Sequence, residues 1–269
     1  MSNLDKYKER IIYSFGLERS TEFELNDAII TELSRKLRAE APEFFNTKEV
    51  GKNKEELKVM RHGFTGIDGE VLMRIAEKEA IVAAGQQIST DEWSRIQETA
   101  LRALEEVFHV ESFADCDSVT FTIRLLYRAK ANHYSVLSNS LLAKDVIRYL
   151  TPVEFPPIDF RLATNCIAEV AQLVDVSEQV KNSLVRFPIN VHFDSNQAAM
   201  EIIKKEYSEK ADLTIRITTL VLSGDVIGQA SPRQILEFLY KYTTKFVEDN
   251  ILSNVCDRIQ KALQAGTGN

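Results

Sequence analysis

TFTIRLLYR, from Thr120 to Arg128, is the stretch of sequence that decides the fold. Its odd-numbered residues are all apolar or aromatic, whereas its even-numbered residues, apart from Leu126, are threonine or arginine. Successive side chains of a strand point to opposite faces, so a period of two indicates a half-buried antiparallel strand. The stretch therefore predicts a sheet that has one dry face.

A second stretch, LTIRIT from Leu213 to Thr218, repeats the alternation and contains the same Thr-Ile-Arg triplet in the same phase. Helical patterns precede and follow both stretches, with apolar residues every three or four positions. Together they predict an α+β protein, with an antiparallel sheet or sheets and amphipathic helices packed on one face.

The helices have clear start signals. Asn26 or Asp27 is predicted to cap the first helix, and Ser89 begins a second helix that carries Trp93 on its apolar side. Ser231, followed by a proline, begins the last helix. The remaining strands are expected at 10–16, 57–64, 158–174 and 185–193, a hairpin at 70–84 with a short helix as its alternative, and helical segments at 133–150 and 195–207.

The segment 151–157 holds three of the six prolines and is the best candidate for a boundary. It divides the chain into an N-terminal α+β half, residues 1–150, and a C-terminal α+β half, residues 151–269. Each half contains a helix, an alternating strand and a helix. Two similar halves and one continuous domain are both compatible with this pattern.

Composition limits the classes of partner and compartment. The 269 residues carry a formal net charge of −7, which argues against binding of duplex nucleic acid through the whole surface. No apolar run has the length of a membrane span, so no membrane partner is expected. Three cysteines far apart in the chain suit reduced thiols, which predicts a cytoplasmic protein.

Catalytic, metal and cofactor motifs give no usable signal. The four histidines lack paired ligand spacing, and no serine nucleophile elbow occurs. The glycines Gly63, Gly66 and Gly69 lack the spacing of a dinucleotide or phosphate loop, and a turn explains them better. We therefore predict no catalytic residue, no metal and no cofactor.

A positive stripe on the polar side of the 120–130 strand is the most distinctive polar set. Arg124, Arg128 and Lys130 share that side, and His133 follows closely. These four residues are the candidate binding site, for an anionic ligand, a nucleic-acid backbone or an acidic partner. The interpretation favoured by the pattern alone is a solvated sheet face whose charges pair with acids on neighbouring strands.

The layout resembles a sporadically distributed, functionally uncharacterised family of bacterial α+β proteins. The matching pieces are the strand at 11–15, the capped helix with Trp93, the strand ending Leu126-Tyr127-Arg128, and the segment from Leu213 to the helix at Pro232. The chain lacks the proline that is usual before the first strand, and Arg128 stands where the family has an acidic or amide residue. The resemblance implies no catalytic residues.

The function expected from these patterns is that of a non-catalytic cytoplasmic binding or assembly protein, which self-associates and has a protein partner. Leu126, Leu220 and Leu222 lie on nominally polar strand faces and need cover. One alternative is an enzyme acting on a phosphorylated or nucleotide substrate through the positive stripe and the 63–69 turn. Another, less favoured, is a nucleic-acid-associated accessory factor, for example in host defence.

Overall fold

The computed structural model of the chain describes residues 3–23, 25–43, 62–65, 71–109, 116–128, 159–169, 184–195, 204, 212–227, 230–259 and 261. Nine strands lie in these ranges. They are β1 (Ile11–Glu18), β2 (His62–Thr65), β3 (Val71–Ile75), β4 (Glu79–Ala84), β5 (Ser118–Arg128), β6 (Asp159–Glu169), β7 (Leu184–Ser195), β8 (Asp212–Leu222) and β9 (Val226–Ile227).

All nine strands belong to one sheet, in the order β2-β3-β4-β1-β5-β8-β7-β6, with β9 paired to β7. Every one of these strand pairs is antiparallel. The two stretches that predicted the fold, in β5 and β8, are direct neighbours through eleven residue pairs. The sheet is thus continuous from strands of residues 1–150 to strands of residues 151–269.

Within the same ranges, three α-helices accompany the sheet: α1 (Asp27–Glu40), α2 (Thr90–Phe108) and α3 (Pro232–Phe246). A π-helix, Val247–Cys256, continues α3, and 3-10 helices cover Asn3–Arg10 and Ser223–Asp225. The predicted caps are confirmed. The side chain of Asn26 accepts a hydrogen bond from the backbone N–H of Ile29 at 3.0 Å, and Ser89 and Ser231 each form a reciprocal capping box.

The helices bury one face of the sheet. Trp93 at the start of α2 is fully buried, and its ring stacks on Tyr13 of β1 with centroids 5.4 Å apart. It also contacts Phe15 and Phe121, each with a centroid distance of 6.2 Å. Since β1 and β5 pair directly, one helix residue joins the two central strands. The predicted α+β fold, with helices on one face of an antiparallel sheet, is confirmed.

The hairpin predicted at 70–84 is formed by β3 and β4, and the alternative short helix is wrong. Its turn is closed by a 2.8 Å hydrogen bond from the N–H of Ala76 to the carbonyl of Glu79. The helical segment at 133–150 and the proline segment at 151–157 lie outside the described residues, as does nearly all of 195–207. The division into two halves therefore stays a prediction.

Candidate anion-binding face

The face of the sheet that the three helices leave uncovered is called the open face here. From Thr120 to Tyr127 in β5 and from Leu213 to Val221 in β8, its residues are half-buried and alternate with buried residues of the helix-covered face. Thr122 and Arg124 represent the open face of β5, and Arg216 and Thr218 that of β8. The same alternation that builds the core therefore places polar and charged side chains together on the other side.

Four basic or ionisable side chains form one row across the open face. The strand register places Arg124 opposite Arg216, Arg216 opposite His192, and His192 opposite Arg161. We call these four residues the basic row. Neighbouring strands lie roughly 4.8 Å apart, so the row is about 14 Å long from β5 to β6. The row runs perpendicular to the strands.

The pairing of Arg124 with Arg216 is the unusual feature of the row. Within the described residues, no carboxylate lies at ion-pair distance from Arg124, and the Nε atoms of both arginines are buried without a hydrogen-bond partner. Burial lowers the pKa of Arg124, and the positive charge of Arg216 lowers it further, while Asp194 acts in the opposite direction. Two partly desolvated guanidinium groups thus face each other.

The carboxylate of Asp194 contacts the two middle residues of the basic row, Arg216 and His192. An Oδ atom of Asp194 lies 3.6 Å from Nη2 of Arg216 and 3.5 Å from Nδ1 of His192. On the other side of the imidazole, Nε of Arg161 donates to Nε2 of His192 at 3.3 Å. Asp194 and Arg161 thus contact the imidazole of His192 through its two different ring nitrogens.

A hydroxyl row lies beside the basic row, one pleat further along the strands. Thr122 is opposite Thr218, and Thr218 is opposite Asn190. The two threonine hydroxyls are 3.0 Å apart and share one hydrogen bond, so one of their two hydroxyl hydrogens is left to be donated elsewhere. The open face therefore offers charged and neutral donors in two rows about 7 Å apart.

Of the four residues that the sequence singled out, Arg124 lies in the basic row. Arg128 ends β5 opposite Asp212 in the register, but its side chain, like Lys130 and His133, lies outside the described part of the chain. Sequence reasoning missed Arg216, His192 and Arg161. A signal for Arg216 was present, because the Thr-Ile-Arg triplet of β5 recurs in β8.

The glycine turn is remote from the basic row. β2, which contains Gly63, lies at the edge of the sheet, and β3, β4 and β1 separate it from β5. At the usual strand spacing this distance is about 19 Å. Gly66 and Gly69 lie outside the described residues. The described strand that leads into this turn is thus separated from Arg124 by three strands.

A second polar region lies between α2 and α3, around a cavity of about 350 Å³. Each of its basic side chains is paired with an acid. Nη2 of Arg233 is 2.7 Å from Glu105, Nη1 of the same side chain is 2.5 Å from Glu98, and Lys241 is 2.9 Å from Glu237. The hydrogen bond to Glu105 is the main reason that the pKa of Arg233 is raised. Unlike the basic row, this region has no excess positive charge to offer an anion.

Chemically, the open face can donate hydrogen bonds to an anion, and nothing in the row is poised as a nucleophile. In the described ranges, no three His, Cys, Asp or Glu side chains converge to hold a metal ion. None of the described helices is long and apolar enough to cross a membrane. No protein-family model matches the chain, and no curated protein matches it.

Proposed function

We propose that this protein is a non-catalytic cytoplasmic binding protein whose open sheet face binds an anionic ligand or an acidic partner. The observation that carries the proposal is the pairing of Arg124 with Arg216, in which Arg124 has no carboxylate of its own among the described residues. An anion between two guanidinium groups replaces their repulsion with attraction. Hydrogen bonds to charged groups contribute about 1.5–3 kcal/mol each.

The net negative charge of the protein restricts where an anion can bind. With a net charge of −7, the protein repels polyanions over most of its surface. A local cluster of three arginines, Arg124, Arg216 and Arg161, therefore directs an anion to one face instead of coating the protein with it. Such electrostatic complementarity contributes mainly to the rate and specificity of association.

The two other functions are supported less well by this geometry. An enzyme that used the glycine turn together with Arg124 would need to bridge about 19 Å across the sheet. A protein that reads single-stranded nucleic acid usually stacks bases on aromatic rings. On the open face of β5, β8, β7 and β6, the described residues include no Phe, Tyr or Trp.

Retention on immobilised heparin, a sulfated polyanion, tests the proposal. The wild type should be retained at low salt and released as salt rises, because the interaction is electrostatic. The double variant Arg124→Gln/Arg216→Gln should flow through. The matched control, Arg35→Gln/Lys245→Gln, removes the same charge from exposed helix positions and should behave as the wild type. Equal retention of both double variants would reject the open face as the binding site.

Self-association is a second proposal, favoured by apolar side chains that remain exposed on the open face. Leu72, Leu222 and Ile167 are 41%, 47% and 61% exposed. Contacts with a second copy of the chain or with a protein partner would cover them. We expect a dimer or larger species at micromolar concentration, which Leu222→Ser and Ile167→Ser should weaken. A monomer throughout the accessible range in light scattering would exclude self-association.

A further inference from the structure

We infer that two copies of this chain form a two-fold dimer through their open faces, in which a pair of arginines of each copy packs on a pair of glutamates of the other. This inference rests on the proposed self-association, because it names the surface that a second copy of the chain would cover. Two features of the described residues support it. The open face carries one like-charged pair of each sign, and the side chains between the two pairs are short.

The glutamates lie at one end of the open face. The register of β1 and β4 places Glu18 directly opposite Glu79, and we call these two residues the acidic pair. Glu18 is exposed, and its carboxylate accepts a 2.9 Å hydrogen bond from the hydroxyl of Ser118, a neutral group that leaves the negative charge in place. Glu79 has one cation nearby, because Nη2 of Arg74 lies 3.8 Å from its carboxylate. Like charges directly opposite each other on a sheet are destabilising.

Arg124 and Arg216, which we call the basic pair, are the counterpart of the acidic pair. They too are directly opposite each other, and they too have one counter-ion beside one member, since Asp194 lies 3.6 Å from Arg216. The side chain of Arg216 is 40% exposed, which leaves it accessible to a partner. Contact between the basic pair of one copy and the acidic pair of another sets attraction against the repulsion within each pair.

The two pairs lie at opposite ends of the same strands. The register of β1 and β5 places Ile12 opposite Arg124 and Glu18 opposite Ser118, so six residues, or about 20 Å, separate the two ends. A two-fold axis that lies in the interface, midway between the pairs, exchanges them. The basic pair of each copy then meets the acidic pair of the other, and the same contact occurs twice, as an isologous interface requires.

Short side chains between the pairs allow a second sheet to approach. They are those of Ser14, Gly16, Thr120, Thr122 and Thr218. Packed sheets lie about 10 Å apart, a spacing that an arginine and a glutamate can span together. The hydroxyls of Thr122 and Thr218 are already hydrogen-bonded to each other at 3.0 Å, which reduces the cost of burying them. Leu222, which is 47% exposed, lies in the same row as Glu18, so a second sheet would cover it as well.

Charge-reversal variants of the full chain test the inference by analytical ultracentrifugation. The wild type should be a dimer at micromolar concentration in low salt, and its dissociation constant should rise with salt. Arg124→Glu and Glu18→Arg should each raise the dissociation constant by about tenfold or more, because either reversal weakens both contacts of the dimer. Lys245→Glu is the control. It changes the net charge as Arg124→Glu does, but at an exposed helix position, and should dimerise as the wild type does.

Mixing the two reversed variants gives the most specific result. When Arg124→Glu meets Glu18→Arg, one contact of the heterodimer is native, and in the other the new carboxylate of one chain faces the new guanidinium of its partner. Association should therefore return in the equimolar mixture. Thermal melts verify that each variant is folded. Should a reversed side chain prevent folding, Arg124→Gln and Glu18→Gln, which only remove charge, should each weaken the dimer several-fold. Folded variants whose mixture remains monomeric would overturn the inference.

The outcomes separate this inference from the proposed function. If the wild type is a dimer that neither reversal weakens, self-association stands and the contact between the two pairs is wrong. If the wild type is a monomer throughout, self-association and this inference are both wrong, whereas the heparin test of the open face is unaffected. Heparin that binds through Arg124 and Arg216 should also compete with the dimer, because both use the basic pair. A dimer that stays intact when saturated with such heparin would overturn the inference.

Discussion

The two faces of one sheet differ in almost every physical respect although they are built by the same strands. On the covered face, Phe121 and Ile217 are fully buried and contribute to one continuous apolar core beneath the helices. On the open face, their chain neighbours Thr122 and Arg216 are half-buried and polar. The covered face supplies the apolar core, and the open face keeps polar side chains partly accessible to solvent.

The comparison also explains how the open face obtains its geometry. A slip of one residue between β5 and β8 would turn Arg124 or Arg216 into the core, at a prohibitive cost in desolvation. The core therefore fixes the register, and the register places Arg124 opposite Arg216. Two arginines that repel each other are held together by apolar packing on the opposite side of the same strands.

The largest expected effect comes from emptying the covered face. Trp93→Ala removes a fully buried ring that contacts Tyr13, Phe15 and Phe121. The free energy of unfolding should fall by about 3–5 kcal/mol, measured by chemical denaturation. Trp93→Phe, which keeps an aromatic ring in place, should cost clearly less. A Trp93→Ala variant as stable as the wild type would show that α2 does not hold the central strands.

The next effect is the loss of stability when a buried thiol ionises at high pH. Burial raises the pKa of the Cys256 thiol from 9.0 to about 11. The folded state then holds its proton more tightly than the unfolded state, so this contribution to stability is complete below pH 9 and is lost as the pH rises towards 11. The expected loss is about 2–3 kcal/mol. Denaturation at several pH values measures it, and Cys256→Ala should flatten the curve between pH 9 and 10.

Buried tyrosines supply the remaining dependence in that experiment. Burial raises the pKa of Tyr13 and of Tyr240, so both oppose ionisation in the folded state above pH 10. The variant Cys256→Ala should therefore still lose stability at the highest pH. A wild-type stability that is constant from pH 8 to 11 would mean that the covered side admits water to these groups.

A polar pair within the core gives a smaller effect. The hydroxyls of Thr219 on β8 and Thr243 on α3 are fully buried and 2.8 Å apart. Thr219→Val leaves the Thr243 hydroxyl without that partner and should cost about 1–3 kcal/mol. The double variant Thr219→Val/Thr243→Val removes both polar groups and should recover most of the loss. A double variant less stable than the single one would contradict this, and would mean that the Thr243 hydroxyl finds another hydrogen-bond partner when Thr219 is absent.

The covered face was largely predictable from the sequence, because its signals are local. Alternation in β5 and β8 and the capping residues Asn26, Ser89 and Ser231 are each contained in a few consecutive residues. These signals predicted the strands, the helix starts and the burial of Trp93. The 3-10 helix at Asn3–Arg10 was not predicted, since it has no comparable capping pattern.

The open face was predicted only along one strand, whereas its basic row runs across four. Residues two apart on a strand are about 7 Å apart, but residues opposite each other on neighbouring strands are nearer, at about 5 Å. Which residues are opposite depends on the strand register, and the register cannot be determined from a short stretch of sequence. The sequence TIRIT in β8 reads the same in both directions, so an antiparallel neighbour containing Thr122-Ile123-Arg124 can align like with like, as it does.

The side chains that β6 places on the open face could not be predicted from its sequence. Its sequence, DFRLATNCIAE, does not alternate clearly, and its residues from Arg161 to Asn165 are all exposed. Only the pairing with β7 aligns Arg161 with His192 and so with the rest of the basic row. A long edge strand that buries little surface has no alternating apolar pattern, so its sequence does not show which residues point to which face of the sheet.

The smallest expected effect, and the one that best separates the two faces, is that of Arg124→Gln on stability. If Arg124 paired with an acid, its loss would destabilise the fold. Because its nearest charged neighbour in the register is Arg216, the substitution should change the free energy of unfolding by about 1 kcal/mol or less, and in the stabilising direction.

Two controls define the cause of that small gain. Salt screens the repulsion, so the advantage of Arg124→Gln over the wild type should shrink as ionic strength rises. In the background of Arg216→Gln there is no opposing charge, and the same substitution should bring no gain, a coupling that a double-mutant cycle measures directly. The opposite result is an Arg124→Gln substitution that destabilises the fold equally in both backgrounds. It would mean that Arg124 stabilises the folded state through its own packing, and that repulsion from Arg216 is negligible.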